Sequence, residues 1–294
     1  MIYDAIIIGK GPAGISAALY TVRANMKTLV FGTGKSALEK AEAIENYYGF
    51  SQPISGEKLL DEGEKQLLRI GGEIRDEEVI GISKEDTFHV KTATGIWEAR
   101  AVLIATGQKT VNTGIRNLKK YEGRGVSYCT TCDGFFYRGK KAGVLGFNDF
   151  ALHEAKELLA FTKDVTLFTN GKATSFSKGN DDILHQLQLN EKPIHSFEGD
   201  EFLERIVFED GSAFMLDGIF IAYESASSTT FALKMGILMQ DQYIVTDRNQ
   251  ATNIEGLYAA GDCTGVFKQI SVAVGQGALA GRNMIEYIRK QKQP

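Results

Sequence analysis

YDAIIIGKGPAG, residues 3–14, is the stretch on which the fold turns. Its apolar run at 5–8 suits a strand buried on both faces, and glycines follow at once. Gly9, Gly11 and Gly14 fit G-x-G-x-x-G in its meaningful context, after a strand and before an alanine- and leucine-rich helix over 13–25. Gly9 permits the tight turn, Gly11 lets a pyrophosphate approach the backbone, and Gly14 lets helix and strand pack closely. The helix N-terminus then faces the phosphate charge. TLVFG at 28–32 closes the βαβ unit. The spacing alone also suits an ordinary tight βα turn. The acidic residue usual about 20 residues further on is absent, and VFGTG stands there.

The other end of the chain decides between these readings. TNIEGLYAAGDCTG, residues 252–265, ends an apolar strand at Gly261-Asp262. Asp262 is placed to accept hydrogen bonds from a flavin's ribityl chain or a bridging water, with the following helix aimed at the pyrophosphate; a helix N-cap is the plainer role. Together the two ends predict an FAD domain assembled from both termini and interrupted by an insert. Between them, 56–70 and 270–290 read as helices and AVLIATG at 101–107 as a buried strand ending in a turn. A second strand–loop–helix spans 142–160, followed by strands at 164–168 and 217–223. The expected fold is α/β, with two dinucleotide-binding, Rossmann-like, three-layer domains, the second inserted in the first. The boundaries are 1–112 with 245–294 for the FAD domain and 113–244 for the insert.

Composition narrows the class. The chain has 294 residues, 43% of them hydrophobic, enough for two cores. A net charge of −4 argues against a nucleic-acid partner. No apolar run is long enough for a signal peptide or membrane span, so a cytoplasmic protein is expected. The 32 glycines exceed the usual ~7% and fall naturally at cofactor turns.

Three cysteines are too few for a disulfide-stapled fold, yet YCTTCDG at 128–134 puts Cys129 and Cys132 within disulfide reach. A zinc knuckle would need further ligands; Cys263 stands alone, and His89, His153, His185 and His195 make no paired motif, so no metal site is expected. A structural disulfide does not suit a reducing cytoplasm. A redox-active dithiol fits best, one thiolate attacking a disulfide and the second resolving the mixed disulfide. Asp133 is then the acid/base for the thiol proton, although a turn residue before Gly134 would look the same. Cys263 reads as a small buried residue beside the flavin.

These motifs, with ATG at 105–107 and GLYAAGDC near the end, resemble the low-molecular-weight thioredoxin reductases along essentially the whole chain. The resemblance implies FAD beside the dithiol, Cys132 facing the flavin and Cys129 attacking the partner. It implies FAD contacts from Gly9, Gly11, Pro12, Ala13 and Gly14, from Phe31, Gly32, Leu38 and Val79, and from Ala105, Thr106 and Gly107. Near the far end it implies Gly261, Asp262, Lys268, Gln269 and Ile270, with 267–281 covering the pyrimidine side. Asn46, in IENYYGF at 44–50, would lie near the isoalloxazine, although Tyr48 replaces a usual proline. A homodimer with thioredoxin as substrate is implied too.

The family's second dinucleotide loop is altered. GFNDFA at 146–151 keeps Gly146 and the small Ala151, but the middle glycine is Asn148 and Phe147 adds bulk. Where an arginine pair would read a 2′-phosphate stand Phe168, Thr169 and Asn170, with only Lys172 charged; a lysine lacks arginine's bidentate geometry. Near 220 a glycine-containing turn has become AYESAS, where Glu224 would repel a phosphate. The chain is thus similar to the ferredoxin-dependent flavin thioredoxin reductases that lack NADPH motifs. An acidic ferredoxin would dock on basic residues, with Arg138, Lys140, Lys141 and Lys268 as candidates. Its cluster must be its own, since three cysteines with this spacing hold none. Rival expectations are an NADPH-dependent reductase with a divergent site, an FAD-dependent dithiol oxidase using oxygen, and a non-enzymatic flavin-binding module.

Overall fold

A computed structural model describes residues 2–33, 36–108, 113–223, 226–265 and 267–292. Two compact units divide the chain, one of residues 1–109 with 227–294 and one of residues 110–226.

The chain enters the first unit through β1 (Ile2–Ile8), α1 (Pro12–Arg23) and β2 (Thr28–Phe31), then α2 (Gly56–Arg69) and β3 (Glu73–Arg75). β4 (Val79–Lys84), β5 (Phe88–Thr92) and β6 (Ile96–Ile104) follow as an antiparallel meander. In the second unit come β7 (Val126–Ser127), α3 (Thr130–Asp133), β8 (Ala142–Leu145), α4 (Asp149–Leu158), β9 (Val165–Phe168), α5 (Asp181–Leu184) and β10 (Gln188–Asn190). β11 (Ile194–Glu198), β12 (Arg205–Phe208), β13 (Ala213–Met215) and β14 (Gly218–Ile221) complete it. The return path is α6 (Ser228–Met235), β15 (Met239–Gln240), β16 (Tyr243–Ile244), β17 (Leu257–Ala259) and α7 (Ile270–Gln291).

The first unit's main sheet runs β3-β2-β1-β6-β5-β4, with β17 also paired to β6. β1 lies parallel to both β2 and β6, and β17 runs parallel to β6. Residues Ala5 to Ile8 are all buried, which is why β1 reads as an unbroken apolar run. α1 and α7, from opposite ends of the sequence, share one core with that strand. A side chain at Gly277 of α7 would run into the Ala13 carbonyl, so the helices meet backbone to backbone there.

The second unit has a parallel sheet in the order β10-β9-β8-β14-β7 and an antiparallel one, β11-β12-β13. Phe168, Phe197 and Phe208 fill the core around them. Both units are therefore α/β with parallel sheets. The return boundary differs from expectation, falling at 226/227 rather than 244/245. α6 and the β15–β16 hairpin belong to the first unit: the Ile244 N–H donates to the Cys263 carbonyl at 2.8 Å and Leu238 N–H to Asn253 Oδ1 at 2.9 Å. No glycine or proline punctuates residues 227–235, so composition carried no mark of the change. The expected 112/113 boundary lies outside the described residues.

Candidate active site: a cofactor cradle and a dithiol turn

The cradle is built where β1, α1 and the end of β6 converge. The Gly9 N–H donates to Phe31 O and the Ala105 N–H to Ile8 O, both at 2.7 Å. Gly9 has φ 116°, and a side chain there would meet the Ala105 carbonyl; one at Gly14 would meet the Gly9 carbonyl. Gly11 is different, because nothing stands within 4 Å of where its side chain would be. It N-caps α1 with no side-chain cap and no acid in the first turn, with Pro12 at the helix start. An open helix N-terminus of this kind suits an anion, so the residues present fit a dinucleotide's pyrophosphate. Ala13 is buried beneath it.

The other expected cofactor residues lie on several elements of the same unit. Phe31 and Val79 are buried, at the end of β2 and the start of β4. Lys10 passes over Gly32 and pairs with Glu64 at 3.1 Å and Asp76 at 2.6 Å. Leu38 lies in a short 3-10 turn capped by Ser36. Thr106 and Gly107 lie in the irregular stretch that follows β6. Asn46 Nδ2 donates to Gln269 Oε1 at 3.0 Å, which ties residues 223 positions apart. Gln269 N-caps α7, which starts at Ile270. Asp262 is therefore not the helix cap. Burial lifts its carboxyl above the ordinary range, and Lys268 opposes this. The Gly261 N–H donates to Gln276 Oε1 at 2.8 Å. Cys263 is buried, its thiol donates to Ala260 O at 3.3 Å, and burial pushes it up to about 12.

In the second unit Cys129 and Cys132 are joined by a disulfide, with Cα atoms 5.3 Å apart across the single turn of α3. Cys129 is buried and Cys132 exposed. The cysteine that the resemblance assigns to attack on a partner is thus the covered one here. Ser127 holds the turn from below: its hydroxyl donates to Asp133 Oδ2 at 2.6 Å and accepts the Cys129 N–H at 3.1 Å. α4 holds the turn's far side. The buried Glu154 accepts the Thr130 N–H at 3.4 Å, and Glu157 accepts the Thr131 hydroxyl at 2.9 Å. His153 Nε2 lies 3.1 Å from Glu157. Ligand atoms of His153, Glu154 and Glu157 lie within 4.8 Å of one another, so His153, set aside in the sequence as unpaired, has acidic company. Ser127, His153, Glu154 and Glu157 were not among the expected site residues. The spacing H-E-x-x-E, which sets both glutamates near one helix face, was the available signal for three of them.

The α4 N-terminus contrasts with that of α1. Asn148 is its N-cap, the side chain accepting from Ala151 N–H at 3.3 Å, and Asp149 stands in its first turn. The Asp149 carboxylate accepts from Ser177 N–H at 2.8 Å, Ser177 hydroxyl at 2.6 Å and Asn180 Nδ2 at 3.2 Å. Ser175 N–H donates to Phe147 O at 2.7 Å, and Phe147 stacks edge-on against Tyr223, centroids 5.3 Å apart. A chain segment and a negative charge thus occupy the end of α4. Asn170 has φ 53° and uses both ends of its amide, accepting Ile194 N–H at 2.7 Å and donating to Thr113 O at 3.1 Å. Thr169 is buried and Lys172 exposed. Glu224 lies outside the described residues.

The sequence profile of the family described as pyridine nucleotide-disulphide oxidoreductase matches residues 3–277. A thioredoxin reductase of Treponema pallidum is 34% identical, covering 97% of each chain. The crystal structure of an atypical thioredoxin reductase of Desulfovibrio vulgaris Hildenborough superposes with TM-score 0.93 and 42% identity, covering 99% of this chain and 100% of that one. A ferredoxin-flavin thioredoxin reductase of Clostridium acetobutylicum superposes with TM-score 0.73 and 29% identity, covering 98% of this chain and 99% of that one.

Proposed function

The chain belongs to the pyridine nucleotide-disulphide oxidoreductase family, among the low-molecular-weight thioredoxin reductases, and from this premise we propose that it reduces thioredoxin with electrons from a reduced ferredoxin rather than from NADPH. It is a flavoprotein disulfide oxidoreductase, and FAD is its cofactor. Among the described residues, no helix is long and apolar enough to cross a membrane. Bound and reduced by the donor, FAD would supply the two electrons that open the disulfide. Gly9, Gly11 and Gly14 with the α1 N-terminus would hold its pyrophosphate, Asp262 its ribityl chain, and Asn46 and Gln269 the ring end.

Cys129 and Cys132 are the redox pair, and Asp133 takes and returns the thiol proton. Cys129 attacks the thioredoxin disulfide, and Cys132 then resolves the mixed disulfide. Since Cys129 is buried in the disulfide form, the turn must become accessible during turnover. The protein works as a homodimer in the cytoplasm. Ferredoxin docks through cations among Arg138, Lys140, Lys141 and Lys268.

The observation that carries the donor assignment is the Asp149–Ser177–Asn180 network across the α4 N-terminus. A carboxylate and its own chain stand where a nucleotide phosphate would sit. The C. acetobutylicum neighbour supports the same donor class. The test is anaerobic: flavin absorption is followed after NADPH or NADH, and separately after reduced ferredoxin. Bleaching by ferredoxin alone is expected. Rapid bleaching by NADPH would overturn the donor assignment and leave the dithiol chemistry standing.

A further inference from the structure

Ser127 is the second residue of β7, placed beside Phe220 of β14 in parallel register, and it is buried. Its one hydroxyl proton goes to Asp133 Oδ2 at 2.6 Å, and its oxygen accepts the Cys129 N–H at 3.1 Å. One side chain therefore links the carboxylate after the turn to the backbone of the cysteine that opens it. An O–H···O⁻ bond of this length is charge-assisted and fixes the carboxylate's orientation. Other ionisable groups near the turn are the Tyr137 phenol, raised by burial and then by the charges of Asp133 and Asp217, and, on α4, Glu154, which accepts the Thr130 N–H, and Glu157, which accepts the Thr131 hydroxyl and lies 3.1 Å from His153 Nε2. None of them supplies the bond that Ser127 makes.

We propose that Ser127 is a positioning residue for thiol–disulfide exchange, holding Asp133 in the orientation from which it takes and returns the thiol proton. This rests on the reading of Cys129 and Cys132 as the redox pair and of Asp133 as their acid/base. When one thiol of the reduced pair attacks a disulfide, a new S–S bond forms and the target's S–S bond breaks. The proton of the attacking thiol passes to the Asp133 oxygen that Ser127 leaves free and goes on to the departing sulfur. Ser127 itself gains and loses nothing. Its fixed donor keeps the second carboxylate oxygen turned to that task.

The test uses the FAD-loaded protein, reduced anaerobically, with bis(2-hydroxyethyl) disulfide as the probe. Exchange rates are measured from pH 5 to 9 for wild type, Ser127→Ala, Ser127→Thr, Asp133→Asn and the Ser127→Ala/Asp133→Asn pair. Asp133→Asn is expected to slow exchange about a hundredfold, the low end for a lost acid/base. Ser127→Ala is expected to slow it about tenfold, as for a lost hydrogen bond to a charged group, and to displace the pH profile. Ser127→Thr, which keeps the hydroxyl, restores the rate, and Ser127→Ala adds nothing on the Asp133→Asn background. The proposal falls if Ser127→Ala matches wild type while Asp133→Asn is slow, or if the two losses multiply. An Asp133→Asn protein exchanging at the wild-type rate would instead remove the acid/base reading beneath it. Should Ser127→Ala not fold, a folded Ser127→Thr protein as slow as Asp133→Asn, with an unshifted profile, overturns the proposal equally.

Discussion

Single side chains in the cradle separate packing from binding. Gly11 and Gly14 belong to one motif, yet the structure gives them different work. An added methyl at Gly14 meets the Gly9 carbonyl, a backbone atom that cannot move cheaply, whereas at Gly11 it meets nothing. Gly14→Ala should therefore destabilise the FAD-free protein by about 3 kcal/mol, the overpacking range. Gly11→Ala should melt like the native FAD-free protein and bind FAD more weakly, because the methyl stands where a pyrophosphate meets the backbone. Thermal melts and FAD titrations of both variants check this; unimpaired FAD binding by Gly11→Ala would displace the pyrophosphate from that turn. The thiols divide in the same way. Burial pushes Cys263 up to about 12, so its thiolate is scarce at ordinary pH and reagents cannot reach it. Alkylation at pH 8 should find no reactive thiol in the oxidised native protein and two after reduction, with Cys263→Ala identical to wild type. A third thiol reacting in the reduced wild type would sink this.

At the scale of elements, two helices with the same place in two βαβ units have opposite ends. α1 begins at an uncapped glycine with no acid in its first turn, while α4 begins at Asn148 with Asp149 already bonded to Ser177 and Asn180. The first invites an anion and the second repels one. Restoring glycine in the loop alone should not restore a nucleotide site. A Phe147→Gly, Asn148→Gly protein should remain unbleached by NADPH under anaerobic conditions, since Asp149 keeps its partners. Bleaching of that variant would show the loop residues alone to be the barrier. How much of this could be read in the chain depends on the kind of contact involved. β1–α1 and β8–α4 announce themselves because each is a buried apolar run followed by its own loop and helix. β5, with Phe88, His89, Val90 and Lys91, alternates over only 5 residues and is confirmed as a strand by its neighbours on either side. The cysteine pair is visible as a spacing. Ser127 is not, because its meaning depends on which strand packs beneath the turn, and the H-E-x-x-E spacing of α4 does not say that Glu154 meets the turn at Thr130. The closure of the second loop was half-legible: Asn148 was plain in the sequence, but its partner segment at 175–180 was not.

The whole molecule raises a different question, because one of its units is written in two pieces. Residues 1–109 supply β1 and α1, and residues 227–294 return with β17 to pair with β6 and with α7 to cover α1. Without α7, the faces of Ala13 and Ala17 against which it packs would lie open, and the core would lose Ile285 and Ile288. The same return carries Asp262 and Gln269 to the cradle. Neither piece therefore holds a complete core or a complete cofactor site. Residues 1–109 alone should not fold cooperatively and should not retain FAD. The same piece joined by a flexible Gly/Ser linker to residues 227–294 should fold, bind FAD and show a flavin spectrum, while lacking any dithiol to exchange. Calorimetry and flavin retention through gel filtration distinguish the outcomes. If residues 1–109 retain FAD unaided, the C-terminal return is not needed for the site. If the joined pieces do not fold, the first unit draws its stability from the insert, and the division of the chain into an electron-accepting part and a thiol-bearing part does not extend to their folding.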